Sequence, residues 1–260
     1  DDDVRWRRAQ LVRAVRLLDG ADLVRPQNVF DPLPWHARWD TGRTLINRAI
    51  AADYPGTYGL RRGIFLRMGG YDGDAMFENL EMARTIRAAG GVERRVDDLF
   101  VRRRPPTAAH FWRQRTRQAY DDLAQPGRLL AELAVLPMTI ALLWSGHRYL
   151  GRAGVVGAAL VPVIAALLVA EAGRRRDGGR EAFAETAAWW APVWVAERAV
   201  LIWFAVGCRL RGGVRYGDQR LLLAAHRVRT LRRRVRSAPP LRCQSGERAD
   251  AGPTGGHRTR

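Results

Sequence analysis

Three acidic residues open the sequence as Asp1-Asp2-Asp3. Carboxylates two positions apart at the end of a β-strand point to the same side of the backbone. Asp1 and Asp3 placed in this way would bind a divalent cation directly or through water, and the cation would neutralise a bound diphosphate. A solvated chain end accounts for the same residues without any function, so this run carries weight only together with other motifs.

A second motif joins a glycine-rich turn to acidic residues. The run Gly69-Gly70-Tyr71-Asp72-Gly73-Asp74 predicts a tight loop, because it holds a glycine pair and an Asp-Gly step. A helix is predicted next, from apolar residues at helical spacing: Met76, Leu80, Ala83 and Ile86. Glu78 falls in the first turn of this helix, where the helix dipole favours a carboxylate. It is either a general base at the mouth of a site or an acid that caps an ordinary helix.

A polar helix face is the third motif. Gln114, Arg117, Gln118 and Asp121 are spaced i, i+3, i+4 and i+7, which places them on one side of a helix. A guanidinium group presents paired donors that match phosphate oxygens, so this face could bind phosphate. The same pattern is also typical of a solvated helix face that binds nothing.

Aromatic and polar residues are mixed in the segment from Arg25 to Arg48. Trp39 can stack on a sugar ring, and Asp40 can accept hydrogen bonds from sugar hydroxyls. The other interpretation of this segment is a loop packed by its own aromatic residues.

Composition divides the chain into three zones. Residues 1–126 mix polar and apolar residues with frequent Gly and Pro, and they predict an α/β domain. Residues 127–210 are apolar with few charges, which predicts membrane helices. Residues 211–260 form a basic tail, and its last part, from residue 237, is predicted to be disordered because it has almost no apolar residues.

The middle zone holds three apolar runs. Leu129 to Trp144 and Val155 to Ala170 approach the ~20 residues that a membrane-spanning helix needs. Ala187 to Leu210 holds Glu197-Arg198 at its centre and four tryptophans, so it predicts an interfacial helix as readily as a span. Buried core helices of a soluble protein would give the same runs.

Basic residues flank the apolar runs, and all of them are arginine in a chain with a formal net charge of +18. Cytoplasmic segments of membrane proteins collect such residues. Two spans with an interfacial helix therefore place the domain, the loop at 174–180 and the tail in the cytoplasm, beside anionic lipids. Charge alone would also fit a nucleic-acid-binding protein, but no such motif is present, so we expect no nucleic-acid partner. The two cysteines, Cys208 and Cys243, have no CxxC spacing, so neither a disulfide framework nor a zinc site is indicated.

The three motifs, in this order and followed by apolar helices, resemble family 2 glycosyltransferases, especially the membrane-associated relatives of cellulose synthases, hyaluronan synthases and ceramide glucosyltransferases. The family pattern is a DxD motif, an acidic ED-type motif after a GG[FY]D-like loop, and a QxxRW-like motif. Asp1 and Asp3 match the DxD motif, and the run from Gly69 to Glu81 resembles the ED-type segment. Gln114 and Arg117 match the Gln and Arg of QxxRW.

The resemblance covers roughly residues 1–170. It implies a GT-A type nucleotide-diphospho-sugar transferase domain, of which this chain holds the C-terminal half. Asp1 and Asp3 would bind Mg²⁺ or Mn²⁺ on a nucleotide-sugar donor. A carboxylate of the ED-type motif would deprotonate the hydroxyl of a lipid or glycan acceptor for in-line attack at the anomeric carbon, which inverts its configuration. Gln114 and Arg117 would lie at the donor and acceptor end of the site, near the membrane.

Three departures from the family pattern shape the expectations. The ED pair reads Glu78-Asn79, so Glu78 is the candidate base, with Asp74 and Glu81 as reserves. Gln118 replaces the Trp of QxxRW, which favours transfer of a single sugar over processive synthesis. The family places nucleotide-binding units before its DxD motif and nothing precedes the motif in this sequence, so we expect this chain alone to be inactive. A basic membrane protein without catalysis, or an inactive remnant of such an enzyme, is the alternative.

Overall fold

The computed structural model describes residues 3–50, 53, 56–216 and 219–237. Asp1 and the segment from 238 that is predicted to be disordered lie outside the described residues. The chain combines helices with a small sheet, which confirms the α/β fold class in its coarse form.

A four-stranded mixed sheet forms the centre of the first zone. Its strands are β1 (Val4–Arg5), β2 (Leu23–Phe30), β3 (Gly59–Leu60) and β4 (Glu93–Arg103), in the spatial order β1-β4-β2-β3. The long strands β2 and β4 are parallel, while β1 pairs antiparallel with β4 and β3 pairs antiparallel with β2. Parallel strands need a crossover connection, and the chain between β2 and β4 supplies it with three helices.

Helices surround this sheet and continue beyond it. In the first zone they are α1 (Arg8–Leu17), α2 (Trp35–Ile50), α3 (Arg62–Arg67), α4 (Glu78–Ala88) and α5 (Ala108–Asp121). They are followed by α6 (Pro126–Arg175), α7 (Gly179–Ala182), α8 (Ala191–Leu210) and α9 (Val228–Ser237), with short 3₁₀ turns at Asp122–Ala124 and Glu185–Trp190. A two-stranded hairpin, β5 (Val214–Tyr216) and β6 (Gln219–Leu221), lies between α8 and α9.

Helix α4 confirms the helix predicted from the spacing of apolar residues. It begins at Glu78, and its stripe is buried: Ala83 and Ile86 pack on the sheet side with Leu23 of β2, while Leu80 packs with Ala119 and Tyr120 of α5. Gly90 follows the last turn with a φ of 81°, a left-handed conformation that glycine adopts without steric cost. The stripe fixes the rotation of α4, and its first turn reaches the surface.

The loop interpretation of the segment from Arg25 to Arg48 is wrong, because these residues form most of β2 and of α2. Helix α2 has buried residues on most of its circumference, since it packs against both α6 and α8. Gly42 permits this approach: a Cβ there would lie 2.8 Å from the backbone nitrogen of Ala191. Its aromatic residues do pack together, as Trp35 and Trp39 lie edge-on to Phe111 of α5.

Helix α6 is two helices folded back on each other. Gly151 interrupts it with a φ of 61° and a ψ of −143°. On either side of this break, Gly146 and Gly154 approach so closely that a Cβ on either would collide with the carbonyl group of the other. Residues 126–150 and 152–175 therefore form an antiparallel hairpin, which we call the helical hairpin. It leaves the domain after Gln125 and returns to it where Gly173 packs on the backbone of Leu45.

Two segments, Pro126–Arg175 and Glu185–Leu210, are long and apolar enough to cross a membrane, by length and composition. Many large side chains of the helical hairpin face outward, among them Leu130, Met138, Ile140, Tyr149 and Leu168. Helix α8 differs, because one side packs on α2 and α5 while Val200, Trp203 and Phe204 are exposed on another.

The chain after α8 folds back onto the domain. Residues 219–226, which we call the strap, pass between α5 and the start of α4. Tyr120 Oη donates a hydrogen bond to the carbonyl of Leu222 at 2.7 Å. The backbone amides of Met76 and Phe77 donate to the carbonyls of Leu223 and Ala224 at 3.0 and 2.8 Å. The strap thus holds the two residues immediately before Glu78.

Candidate functional site

A polar pocket of about 270 Å³ opens where the start of α4 faces the polar side of α5. Helix α2, the end of β4, the foot of α6 and the centre of α8 complete its walls. Its charged lining consists of five arginines and four carboxylates: Arg43, Arg103, Arg117, Arg128, Arg198, Asp53, Glu78, Asp121 and Asp122. A cavity with this lining favours a polar ligand over an apolar one, and its guanidinium groups can bind phosphate oxygens.

Helix α5 brings its predicted polar face into this pocket. Gln114, Arg117 and Gln118 all line it, as the helical spacing predicted. The helix starts at a fixed point, because the Thr107 side chain accepts a hydrogen bond from the His110 backbone amide at 3.3 Å. Gln118 is held in turn, since its Oε1 accepts from Arg115 Nη1 at 2.9 Å.

The structure separates the three acidic residues proposed as bases. Glu78, the first residue of α4, lines the pocket and is exposed to solvent. Asp74 is exposed in the preceding loop and does not line it. Glu81 is fully buried on another side of α4, where it accepts from the backbone amide and Nδ1 of His226, both at 2.8 Å. Among these three, Glu78 alone could meet a ligand in the pocket.

Asp3 lies next to the same pocket, because it forms an ion pair with the lining residue Arg103. Its Oδ2 accepts from Arg103 Nε at 2.6 Å, and Arg103 lines the pocket. Its Oδ1 is buried and has no hydrogen-bond partner among the described residues. This oxygen fits a hard cation such as Mg²⁺ or Mn²⁺. The metal role of Asp3 stays a prediction that this oxygen is compatible with, while Asp1 lies outside the described residues.

Asp53 anchors one wall of the pocket as a carboxylate. It accepts from Asn47 Nδ2 at 3.1 Å and from Gln27 Nε2 at 3.3 Å, and it lies 3.5 Å from Arg43 Nη1. Burial alone would raise the pKa of Asp53, but the charge of Arg43 and the two amide donors outweigh it and lower the pKa. The ionised form of Asp53 holds Arg43 at the pocket wall.

Asp121 also lines the pocket. The helical spacing predicted its position on the polar face of α5, but the sequence indicated no role for it. Its Oδ1 is buried and has no hydrogen-bond partner in the described part of the chain. Burial, and then the neighbouring charge of Asp122, raise the pKa of Asp121 well above its ordinary value despite the charge of Arg117. A raised carboxyl pKa in a cleft is typical of functional sites.

Trp39 and Asp40 do not line the pocket. Asp40 is buried and accepts from Arg115 Nη1 at 2.6 Å, while Trp39 Nε1 donates to Glu197 Oε2 at 2.7 Å. Arg115 also donates to Glu197 from Nε at 2.6 Å. The polar groups of Trp39 and Asp40 are therefore engaged in a buried ion-pair network that joins α2, α5 and α8, and their assignment to a sugar stays a prediction without support from geometry.

Three groups with metal-ligand chemistry meet away from the pocket: Asp72, Glu81 and His226. Each has internal partners. Asp72 accepts from the Asp74 amide at 2.9 Å and from Arg234 Nη1 at 2.6 Å, and Glu81 binds His226 as described above. We interpret these contacts as structural: they hold the strap and α9 against α4 and the loop before it.

Asp122, Arg128 and Arg198 are among the pocket residues to which the sequence analysis gave no role in a site, because their signals lie far apart along the chain. Arg128 and Arg198 converge on Asp122, at 2.9 and 3.0 Å. Arg198 belongs to the pair that interrupts the apolar run, and a charge at the centre of such a run is the one signal that could have marked it.

Comparison of the chain with known protein families, curated proteins and solved structures gives no match. The arrangement by itself combines an arginine-rich polar cavity with an exposed carboxylate and a buried carboxyl of raised pKa. Such a cavity can bind a phosphorylated ligand and accept a proton from a hydroxyl beside it.

Proposed function

We propose that this chain carries the acceptor side of the active site of a membrane-bound, inverting glycosyltransferase of the GT-A type. One observation carries the proposal. Glu78 from the second motif and Gln114 and Arg117 from the third line a single pocket, next to the ion pair that Arg103 makes with Asp3 of the first. More than seventy residues separate the first motif from the base in the second, and independent surface features would have no reason to converge.

Each residue has a chemical role in this proposal. The acceptor hydroxyl gives its proton to Glu78 while its oxygen attacks the anomeric carbon of the nucleotide sugar. The bond from that carbon to the diphosphate oxygen breaks at the same time, so the configuration inverts. Arg117, with the guanidinium groups of Arg43 and Arg103, stabilises the negative charge that develops on the departing diphosphate. Gln114 and Gln118 are amides that orient sugar hydroxyls.

A divalent cation would share the neutralisation of the diphosphate when it is bound. Asp3 would hold it through Oδ1, the oxygen that is not bound by Arg103. The buried ionised network around Asp53 keeps Arg43 in place whether or not the cation is present.

The helical hairpin crosses the bilayer in this proposal, and α8 lies in the bilayer surface. Each half of the hairpin is about 36 Å long at the usual helical rise, a length comparable to a hydrocarbon core of about 30 Å, and its domain end packs on α2. Both ends of the hairpin are on the domain, so two spans return the chain to the side from which it left. Arg174, Arg175 and Arg176 follow the second span, and the positive-inside rule puts them and the domain in the cytoplasm.

A transfer assay tests the function. Membranes from cells that produce the protein from its full reading frame are incubated with Mn²⁺ and a panel of radiolabelled nucleotide sugars, and label in the lipid and glycan fractions is counted. We expect one donor to give label, and Glu78→Gln to lower the rate by about 10² to 10⁴, the usual contribution of a general base.

Asp74→Asn is the matched control, because Asp74 is an exposed carboxylate in the loop before α4 that does not line the pocket. It should transfer sugar at the wild-type rate. Equal rates for Glu78→Gln and wild type would exclude Glu78 as the base. An absence of label with every donor, while the protein stays in the membrane fraction, would favour a basic membrane protein without catalysis.

A further inference from the structure

A second cavity, which we call the apolar cleft, has a volume of about 380 Å³ and lies between α2, the first half of the helical hairpin and α8. Its walls are almost entirely hydrocarbon, with Ile46, Ile50, Ala131, Val135, Val195 and Ala199 among its lining residues. The size is in the range of cavities that bind small ligands. In the proposed topology the helical hairpin crosses the bilayer. The apolar cleft lies against this hairpin and would therefore be open to the bilayer.

The apolar cleft and the polar pocket share a wall. Asn47, Arg128 and Arg198 line both cavities. They are linked to each other, since Arg128 Nη1 donates to Asn47 Oδ1 at 2.9 Å and both arginines bind Asp122. An amphiphile that filled both cavities would have its chain in the cleft and its head group at this wall.

Polar atoms without partners lie on residues of the cleft itself. Glu132 Oε2, Trp194 Nε1 and Arg198 Nε are buried, and none has a hydrogen-bond partner among the residues that the structure describes. All three residues are more than nine-tenths buried. Burial of polar atoms without partners is unfavourable and rare in folded proteins. One carboxylate acceptor and two N–H donors, carried by residues that line the cleft, would match a head group that both donates and accepts hydrogen bonds.

We propose that the apolar cleft binds the hydrocarbon chain of a membrane lipid whose hydroxylated head group is the sugar acceptor. The inference rests on the proposed function and narrows it from a lipid or glycan acceptor to a lipid. Glu132 accepts a hydrogen bond from one head-group hydroxyl, while Trp194 and Arg198 donate to its oxygens. A second hydroxyl then extends past Asn47 into the polar pocket, towards Glu78. A soluble glycan has no chain with which to fill the cleft.

Photolabelling tests the binding step without any turnover. The protein from its full reading frame is placed in phosphatidylcholine vesicles that contain a monoacylglycerol with a diazirine in its chain. After irradiation, the labelled peptides are identified by mass spectrometry. We expect label concentrated in residues 127–135 and 194–199, which form the cleft. Label spread evenly over the outward-facing surface of the helical hairpin would overturn the proposal.

Two variants and one control variant sharpen the test. Ala131→Trp fills the mouth of the cleft and should lower labelling there at least tenfold. Leu168→Trp is its control, because Leu168 lies on the same hairpin but is 66% exposed and outside the cleft. Glu132→Gln keeps the volume of the side chain and should weaken labelling several-fold, which covers the case that Ala131→Trp does not fold.

Transfer and labelling together separate the two proposals. Loss of both in Ala131→Trp, with both retained in Leu168→Trp, supports a lipid acceptor in the cleft. Transfer at the wild-type rate in an Ala131→Trp protein that no longer labels would overturn the lipid acceptor while the glycosyltransferase proposal stands. Specific labelling of wild type without transfer from any donor would overturn the proposed function, and with it the acceptor role of the bound lipid.

Discussion

Arg115 and Glu197, 82 residues apart in the sequence, form a buried ion pair in which Arg115 Nε donates to Glu197 Oε1 at 2.6 Å. Asp40 binds the same guanidinium from α2, at 2.6 Å from Arg115 Nη1. The pair therefore locks α5, which carries the polar face of the pocket, onto α8. It also explains why Glu197 occurs at the centre of the apolar run from Ala187 to Leu210, and the neighbouring Arg198 pairs with Asp122.

Removal of Arg115 should destabilise the protein strongly. Arg115→Met leaves the carboxylates of Asp40 and Glu197 buried without their cation, and loss of one partner of a buried ion pair costs about 3–5 kcal/mol. The melting temperature of the detergent-solubilised protein measures this. Arg113→Met, at an exposed position of the same helix, is the control and should melt like wild type.

Asp121→Asn should stabilise the protein at neutral pH. Since the folded-state pKa of Asp121 is raised, the folded chain keeps this proton where the unfolded chain has lost it. Stability then falls as pH rises from about 3.9, the ordinary aspartate pKa, to the raised folded-state value, and it stays lower above that. Asparagine has no proton to lose, so the variant should melt above wild type at pH 7.

The same comparison at a pH of about 4 is the control. At this pH Asp121 is largely protonated in the folded state, and the pH is close to the ordinary aspartate pKa of the unfolded state. The variant and the wild type should then have similar melting temperatures. A variant that melts below wild type at pH 7 would show that the Asp121 carboxylate is ionised and stabilised by its arginine neighbours, with a pKa that is lowered instead of raised.

Gly146→Ala should disrupt the turn of the helical hairpin. An added methyl group meets the backbone of Gly154, and overpacking of this kind costs about 1–3 kcal/mol. Gly157→Ala is the matched control, because a Cβ there has no neighbour within 4 Å among the described residues and alanine favours a helix. The two variants should differ in melting temperature by several degrees, and identical melting would argue against the close glycine contact.

His226→Ala should weaken both the fold and the proposed transfer. It leaves Glu81 Oε1 buried without its partner at 2.8 Å, at a cost of about 1–3 kcal/mol. Because the strap also holds the residues before Glu78, transfer should fall more than the amount of folded protein does. Both are measured on the same membranes, with Arg227→Ala, an exposed neighbour, as control. Transfer that falls only in proportion to folded protein would mean that the strap has no positioning effect.

Local periodicity predicted the parts of the site that single helices carry. The apolar stripe of α4 put Glu78 in the first turn, and the spacing of Gln114, Arg117 and Gln118 put them on one face of α5; both are confirmed. The first two apolar runs of the middle zone are likewise the two halves of the helical hairpin. These features depend on residues within a few turns of one another, which is the range over which sequence patterns are informative.

The rest depended on contacts between distant segments. Nothing near Asp40 in the sequence indicates that its partner is Arg115. Asp40 was therefore interpreted as a sugar-binding residue, whereas in the structure it joins α2 to α5 through an ion pair. Glu81 was a reserve base for the same reason, since His226, which occupies it, is 145 residues away. The sequence identifies a residue as a carboxylate, but the partner of that carboxylate depends on the tertiary packing of distant segments.

The strap has a consequence for the order of folding. Residues 223–226 are synthesised last among those that fix Glu78, after both halves of the helical hairpin and α8. Contacts so distant along the chain form late, because the intervening segment must first be ordered. The first domain is therefore synthesised before the strap that completes its pocket. Glu78, the carboxylate proposed as the base, is fixed in position only after the helical hairpin and α8 have folded. In the proposed topology, the proposed activity is therefore acquired only after the helical hairpin has entered the membrane.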